Sequence, residues 1–186
     1  FVQQQNSETL QEVYSWSLGN IPSTGWSDVV LILPYIAVAG VVIVALRNDL
    51  VDAFDWPEVQ PHNPPTVGET LKDLIAANGW IGAERWAALA SDIAPTVVGG
   101  SKKHGGPDLG PTRARQAWAS LGVEGRSLAE AAPEPHFCGM PRLTVRMVAR
   151  IQGFPDDWQF FGRKTTAYRQ VGNAFPPPVA KAVARN

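Results

Sequence analysis

Between Ala94 and Arg115 the chain reads A-P-T-V-V-G-G-S-K-K-H-G-G-P-D-L-G-P-T-R-A-R. Ser101, Lys102, Lys103 and His104 stand between two Gly-Gly pairs. Glycine lets the backbone approach a ligand closely. The hydroxyl and the cations can bind phosphate oxygens or base edges. Thr112 is placed to cap a helix over Arg113 to Leu121, which puts Arg113 and Arg115 in the first turn. The backbone N–H groups of a helix start favour an anion. A solvated basic loop with no partner is the competing reading, and the charge cluster by itself leaves the two level.

Metal chemistry is excluded at the same residues. His104 lies between glycines, with no cysteine, aspartate or second histidine at metal-ligand spacing. His136 and Cys138, in H-F-C-G, are one short pair and not a four-ligand set. Cys138 is the one cysteine of the chain, so neither a disulfide nor a cysteine zinc cluster can form. A packed or partly exposed free thiol is expected, compatible with a reducing cytosol.

The stretch that organises the chain lies further on, in Pro141 to Phe175. Thr144 is placed as the N-cap of a helix whose Val148 and Ile151 fall on one face. Gly153 is placed to end it in a left-handed turn. Phe154, Pro155 and Trp158 form an aromatic corner. Gly172-Asn173 reads as a turn that tolerates positive φ. Pro176 to Pro178 fix φ ahead of a short amphipathic helix over Val179 to Val183.

These two blocks, P-R-L-T-V-R-M-V-A-R-I-Q-G-F-P-D-D-W and Q-V-G-N-A-F-P-P-P-V-A, resemble the last two signature motifs, IX and X, of the DNA cytosine-5 methyltransferases. The family pattern has Glu after the second arginine of motif IX, where this chain has Met147. The resemblance implies that Arg142, Thr144 and Arg146 brace a target-recognition domain by charge-assisted hydrogen bonds. It implies that Gly172, Asn173 and Ala174 line the methionine end of an S-adenosylmethionine site. It also implies that Ser101, Lys102, Lys103, His104, Arg113 and Arg115 contact double-stranded DNA, since the loop resembles the recognition domain of bacterial members. That tips the basic cluster to the DNA reading.

Upstream, Thr66-x-x-Glu69 is a capping box. The helix after it has Leu71, Leu74 and Ile75 as its apolar face and Gly79 at its close. Residues 83–90 read as one or two further helical turns, with Trp86 and Leu89 inward. Residues 47–65 are a proline-broken loop. Residues 29–46 form a long apolar run. Pro34, Gly40, the β-branched residues and the lack of a flanking basic cluster weigh against a membrane span. Two buried strands of a covered sheet, Val29–Leu33 and Val41–Leu46, are expected instead. The resemblance begins cleanly at about Val41. Residues 1–40 are either divergent or a reading-frame accident ahead of an intact tail, and residues 1–28 carry no motif.

With 45% hydrophobic residues the chain can bury a core, and its net charge of −1 places any DNA contact in local clusters. It opens Phe1-Val2 without methionine, so a truncated or processed chain is expected, and no signal peptide opens it. The family reaction flips a cytosine into a pocket, attacks C6 with a cysteine thiolate and methylates C5. The chain has no Pro-Cys dipeptide for that nucleophile, no Glu-Asn-Val block and no glycine-rich cofactor loop. No catalytic residue is therefore assigned, and the chain alone is expected to be inactive.

The resemblance implies an α/β fold: the C-terminal part of a Rossmann-like methyltransferase with an irregular recognition domain. Residues 1–47 would be a remnant of the catalytic domain, 48–140 the recognition domain and 141–186 the motif IX/X segment. A cytoplasmic enzyme part in a restriction-modification system is implied, with only a partial S-adenosylmethionine site. Its implied partner is a catalytic half carrying the missing motifs, with no membrane. The alternative is a DNA-binding module or a degenerate remnant without an enzymatic role.

Overall fold

The computed structural model describes residues 33–37, 40–44, 53–57, 64–98 and 106–185. The chain divides into two compact units, Phe1–Trp56 and Pro57–Asn186.

In the first unit, β1 (Leu33–Ala37) pairs antiparallel with β2 (Gly40–Val44), in register from Leu33 opposite Val44 to Ala37 opposite Gly40. The first strand begins where Val29–Leu33 was expected to end; residues 29–32 lie outside the described residues. Only two residues separate the strands, and a connection that short permits a hairpin and no parallel crossover. Among the described residues the ribbon has only these two strands, both of them edges, where Pro34 is tolerated. Among the described residues, no helix is long and apolar enough to cross a membrane.

The second unit is helical: α1 (Val67–Ile75), α2 (Ala83–Leu89), α3 (Thr112–Ser120), α4 (Val145–Ile151), α5 (Lys164–Asn173) and α6 (Pro177–Ala184). The capping box at the start of α1 forms as its spacing demands. Thr66 Oγ1 accepts from Glu69 N–H at 3.1 Å, and Glu69 Oε2 accepts from Thr66 N–H at 2.8 Å. Two more amides at this helix start donate to the chain leaving α2, Val67 N–H to Asp92 O and Gly68 N–H to Ala90 O. The helices meet at Gly68, where a Cβ would lie 2.0 Å from the Ala87 carbonyl oxygen. Only glycine permits that approach.

Leu71, Ile75, Trp86, Trp118, Leu128, Leu143, Met147, Val148, Tyr168 and Val171 form one core. Leu71 and Ile75 are buried as the apolar face of α1 requires, with Leu74 at its margin. Leu89 was expected inward but is 58% exposed. A seven-residue helix turns only one stripe to its neighbour, and Ala83 and Trp86 occupy it. Trp80 and Trp86 each anchor a loop, their indole N–H groups donating to Phe137 O and Gly122 O.

Candidate functional site

Motif IX folds around the start of α4. Thr144 is the N-cap, its Oγ1 accepting from Met147 N–H at 3.2 Å. The reciprocal arm of the box is closed by sulfur: Thr144 N–H donates to Met147 Sδ at 3.3 Å. Met147 therefore fills the capping place of the glutamate that the motif pattern carries there, with a weaker acceptor. Gly153 ends the helix at φ +82°, as its position suggested.

Arg142 reaches a neighbouring side chain and Arg146 reaches backbone. Arg142 Nη1 donates to Ser127 Oγ at 3.1 Å. Arg146 donates to Pro155 O at 3.1 Å and to Trp158 O at 2.7 Å, with its guanidinium 6.0 Å from the Phe160 ring centroid. Phe154 packs against both Trp158 and Phe160, so the aromatic corner has three rings.

Arg150 makes the longest reach and was not visible in the motif reading. Its Nε donates to Asp156 Oδ1 at 2.9 Å while Nη2 binds Asp156 Oδ2. Nη1 binds Asp73 on α1 and donates to Thr70 O at 3.2 Å. Hydrogen bonding to Arg150 holds the carboxyl groups of Asp73 and Asp156 below their ordinary range. No periodicity in the sequence could pair an arginine with a helix so far upstream.

Of the expected DNA contacts, Ser101, Lys102, Lys103 and His104 lie outside the described residues. Arg113 and Arg115 are in the first turn of α3, as expected, but Thr112 is not the cap. Pro111 takes the cap position in extended conformation, and no side chain caps the helix start. Proline's fixed φ suits this entry. It leaves Thr112 inside the helix, where its Oγ1 accepts from Arg115 Nη2 at 3.3 Å. Arg115 also lines an open cleft of about 240 Å³ with Gln116, Gly125 and Arg126. Arg126 carried no sequence signal.

Gly172 and Asn173 do not form a positive-φ turn. They are the last residues of α5, and the chain leaves the helix at Ala174, which is extended at φ −72° and ψ 143°. The helix runs on because Ala167, Tyr168 and Val171 bury one continuous stripe, which outweighs the helix cost of a glycine. Asn173 is exposed, and its carboxamide makes no hydrogen bond to another described residue. The α6 helix follows from Pro176 and contributes no buried residue; Val179 within it and Phe175 just before it stay 44% and 47% exposed. The Asn173 carboxamide thus stands open to solvent at the end of α5.

Tyr168, also on α5, is fully buried. Its hydroxyl lies 2.7 Å from Val98 O and 2.8 Å from Asp108 O. Burial, reinforced by the Asp108 carboxylate, pushes its pKa up, so it remains a proton donor. Cys138 is exposed and free, and no group of metal-binding side chains forms among the described residues.

The chain is 63% identical over 147 residues to Type II methyltransferase M.NaeI of Lentzea aerocolonigenes, covering 77% of this chain and 35% of that protein. It is 51% identical over 148 residues to Type II methyltransferase M.NgoMIV of Neisseria gonorrhoeae, covering 78% and 46%. A shorter stretch of 63 residues is 49% identical to DNA (cytosine-5)-methyltransferase 1 of Mus musculus, covering 34% and 4%. The chain thus spans less than half the length of these relatives. No solved structure matches it. The C-5 cytosine-specific DNA methylase family matches residues 41–186, starting where the motif resemblance starts and taking in α1 to α6. The chain belongs to the C-5 cytosine-specific DNA methylases.

Proposed function

We propose that this chain is the C-terminal, target-recognition portion of a DNA cytosine-5 methyltransferase of a restriction-modification system. Such an enzyme transfers a methyl group to C5 of cytosine in DNA, and the methyl group is supplied by bound S-adenosylmethionine. The observation that carries the reading is the family match over residues 41–186, set beside a coverage of 35% of M.NaeI at 63% identity. The family's Rossmann-like fold would be represented by its C-terminal part. Residues 1–47 would be a catalytic-domain remnant, 48–140 the recognition domain and 141–186 the returning motif IX/X segment. A cytoplasmic location follows from this role.

In this reading the chain positions and does not react. Lys102, Lys103, Ser101 and His104, with Arg113 and Arg115 at the uncapped start of α3, hold DNA phosphates and base edges. Arg142, Thr144 and Arg146 fix the segment after the recognition region. Gly172, Asn173 and Ala174 offer a partial cofactor wall. The C-terminal end of α5 carries partial negative charge, which suits the cationic end of S-adenosylmethionine. The chain has no Pro-Cys nucleophile loop, so activity requires a catalytic half.

The test is methyl transfer from labelled S-adenosylmethionine to DNA, by this chain with and without a catalytic half carrying the missing motifs. Transfer only in the mixture is expected. Intact DNA binding with no transfer in either sample would establish a binding module or remnant instead, and transfer by the chain alone would overturn the assignment.

A further inference from the structure

We propose that Tyr168 is a positioning residue that ties together the two segments flanking residues 99–105 and thereby sets the DNA affinity of the basic cluster. This rests on the reading of Lys102 and Lys103 as DNA contacts. One hydroxyl meets the carbonyl that ends the described segment before the cluster, Val98, and one at the start of the segment after it, Asp108. The single phenolic proton is shared between these two carbonyls or donated to one at a time, so both stems lie within hydrogen-bond reach of one oxygen.

The remaining hydrogen bonds of the stems are unequal. The downstream stem is also held by Leu109 N–H to Gly125 O, Leu128 N–H to Pro107 O and Gly110 N–H to Asp108 Oδ1. Among the described residues, Ala94 to Val98 have no hydrogen-bonded tie besides Tyr168. Their other hold is packing: Ala94 and Val97 lie against the core, and Val98 meets Gly110, where a Cβ would sit 2.9 Å from its Cγ2.

A purely space-filling ring at this position would be phenylalanine. A buried hydroxyl is tolerated only because it is bonded, and here both acceptors belong to the stems. Restraining both ends of a loop lowers the entropy lost when its side chains engage a ligand. The same helix ends at Gly172 and Asn173, so the recognition stems and the proposed cofactor wall are referenced to one rigid element.

The experiment compares wild type, Tyr168→Phe and Lys102→Ala/Lys103→Ala. Binding to a fluorescein-labelled mixed-sequence duplex is read by anisotropy over a salt series, below each variant's own melting temperature. Amide hydrogen exchange is read in parallel. Tyr168→Phe keeps the ring and its packing and removes the tie. It is expected to weaken DNA binding roughly tenfold with an unchanged salt slope, the order expected for one lost hydrogen bond. Exchange should quicken at Leu109 and Gly110, whose amides are the hydrogen-bonded ones in the stems, with the α1 amides unaffected. The lysine variant should flatten the salt slope.

If the lysine variant loses affinity and Tyr168→Phe does not, the tie is refuted and the DNA reading stands. If the lysine variant binds normally, the DNA reading falls and the role in DNA affinity falls with it. Exchange then reads the tie alone: quickened stems retain it, and unchanged stems end it. Quickened exchange throughout α1 would mean a general structural role and overturn the proposal.

Discussion

Arg150 and Asp156 face each other two-pronged, Nε to Oδ1 and Nη2 to Oδ2, while the third nitrogen of the same guanidinium reaches Asp73 and the Thr70 carbonyl on α1. One side chain thus joins the motif IX helix, the turn after it and the first helix of the unit. A lysine has the charge but not the planar fork. Arg150→Lys is expected to cost about 1–2 kcal/mol, since at least the Thr70 bond and one arm of the fork are lost. Both carboxylates are largely exposed, which keeps the figure modest. Thermal unfolding followed by circular dichroism should show the midpoint falling by several degrees, and an unchanged midpoint would refute the role.

The same cluster predicts an acid sensitivity. Hydrogen bonding to Arg150 lowers the pKa of Asp73 and Asp156 from an ordinary value of 3.8. Each then binds a proton less readily folded than unfolded, so the contribution is complete above the unfolded carboxylate range and disappears as pH falls through the folded value. Melting temperature measured from about pH 5 to about pH 2 should decline less steeply in Asp73→Asn with Asp156→Asn than in wild type. Parallel curves would show that neither carboxylate is linked.

Gly153→Ala should be severe for so small a change. The residue sits at φ +82°, and a Cβ there would lie 2.4 Å from Pro178 Cγ. Strain of the left-handed conformation costs about 1–2 kcal/mol before any clash. The clash falls on α6, which has no buried residue to hold it in place. Faster amide exchange in residues 177–184 is expected, ahead of any change in α1.

Met147→Leu tests the sulfur arm of the cap. It keeps the buried volume and removes the acceptor of Thr144 N–H. A loss of about 0.5–1 kcal/mol in urea unfolding is expected for a weak bond removed at little volume cost. Thr144→Ala should cost about 1 kcal/mol and Thr144→Ser much less, because serine caps equally well. Equal losses for alanine and serine would mean that the threonine methyl, and not the cap, matters.

Asn173→Ala addresses the cofactor wall. In enzyme reassembled with a catalytic half, the apparent KM for S-adenosylmethionine should rise by roughly tenfold, the scale of one lost hydrogen bond, with the KM for DNA unchanged. Normal cofactor kinetics would remove Asn173 from the site.

What could be read in advance was local. The capping box at Thr66, the cap at Thr144 and the helix-ending glycine at 153 depend on residues within a few positions of each other, and all formed, whereas Gly79, though left-handed, stands three residues beyond the α1 cap at Ala76. The misread positions turned on which competing feature won: burial, helix length or a neighbouring residue. Gly172-Asn173 has the composition of a turn, yet the buried stripe of Ala167, Tyr168 and Val171 carries the helix through it. Leu89 fits the helical period, but α2 is too short to bury a second stripe. Thr112 lost the cap to a proline already set in extended conformation. Arg150 and Tyr168 gave no sign, because their partners lie 80 and 70 residues away. The family itself was legible because its motifs are long and ordered, whereas each contact within them is not.

The reach of Arg150 back to Thr70 has a consequence for how the chain is made. A ribosome releases α1 long before α4 exists, so the partner of α1 arrives only after about 80 further residues are synthesised. In that interval the nascent α1 has its own capping box and the nearby α2 for support, and its apolar face awaits α4 with Met147 and Val148. Nine residues are too few for a helix to persist unaided in water. The unit therefore closes late, when its final motifs emerge, and a stop codon placed anywhere before α5 would strand α1 to α3 without the elements that complete their core.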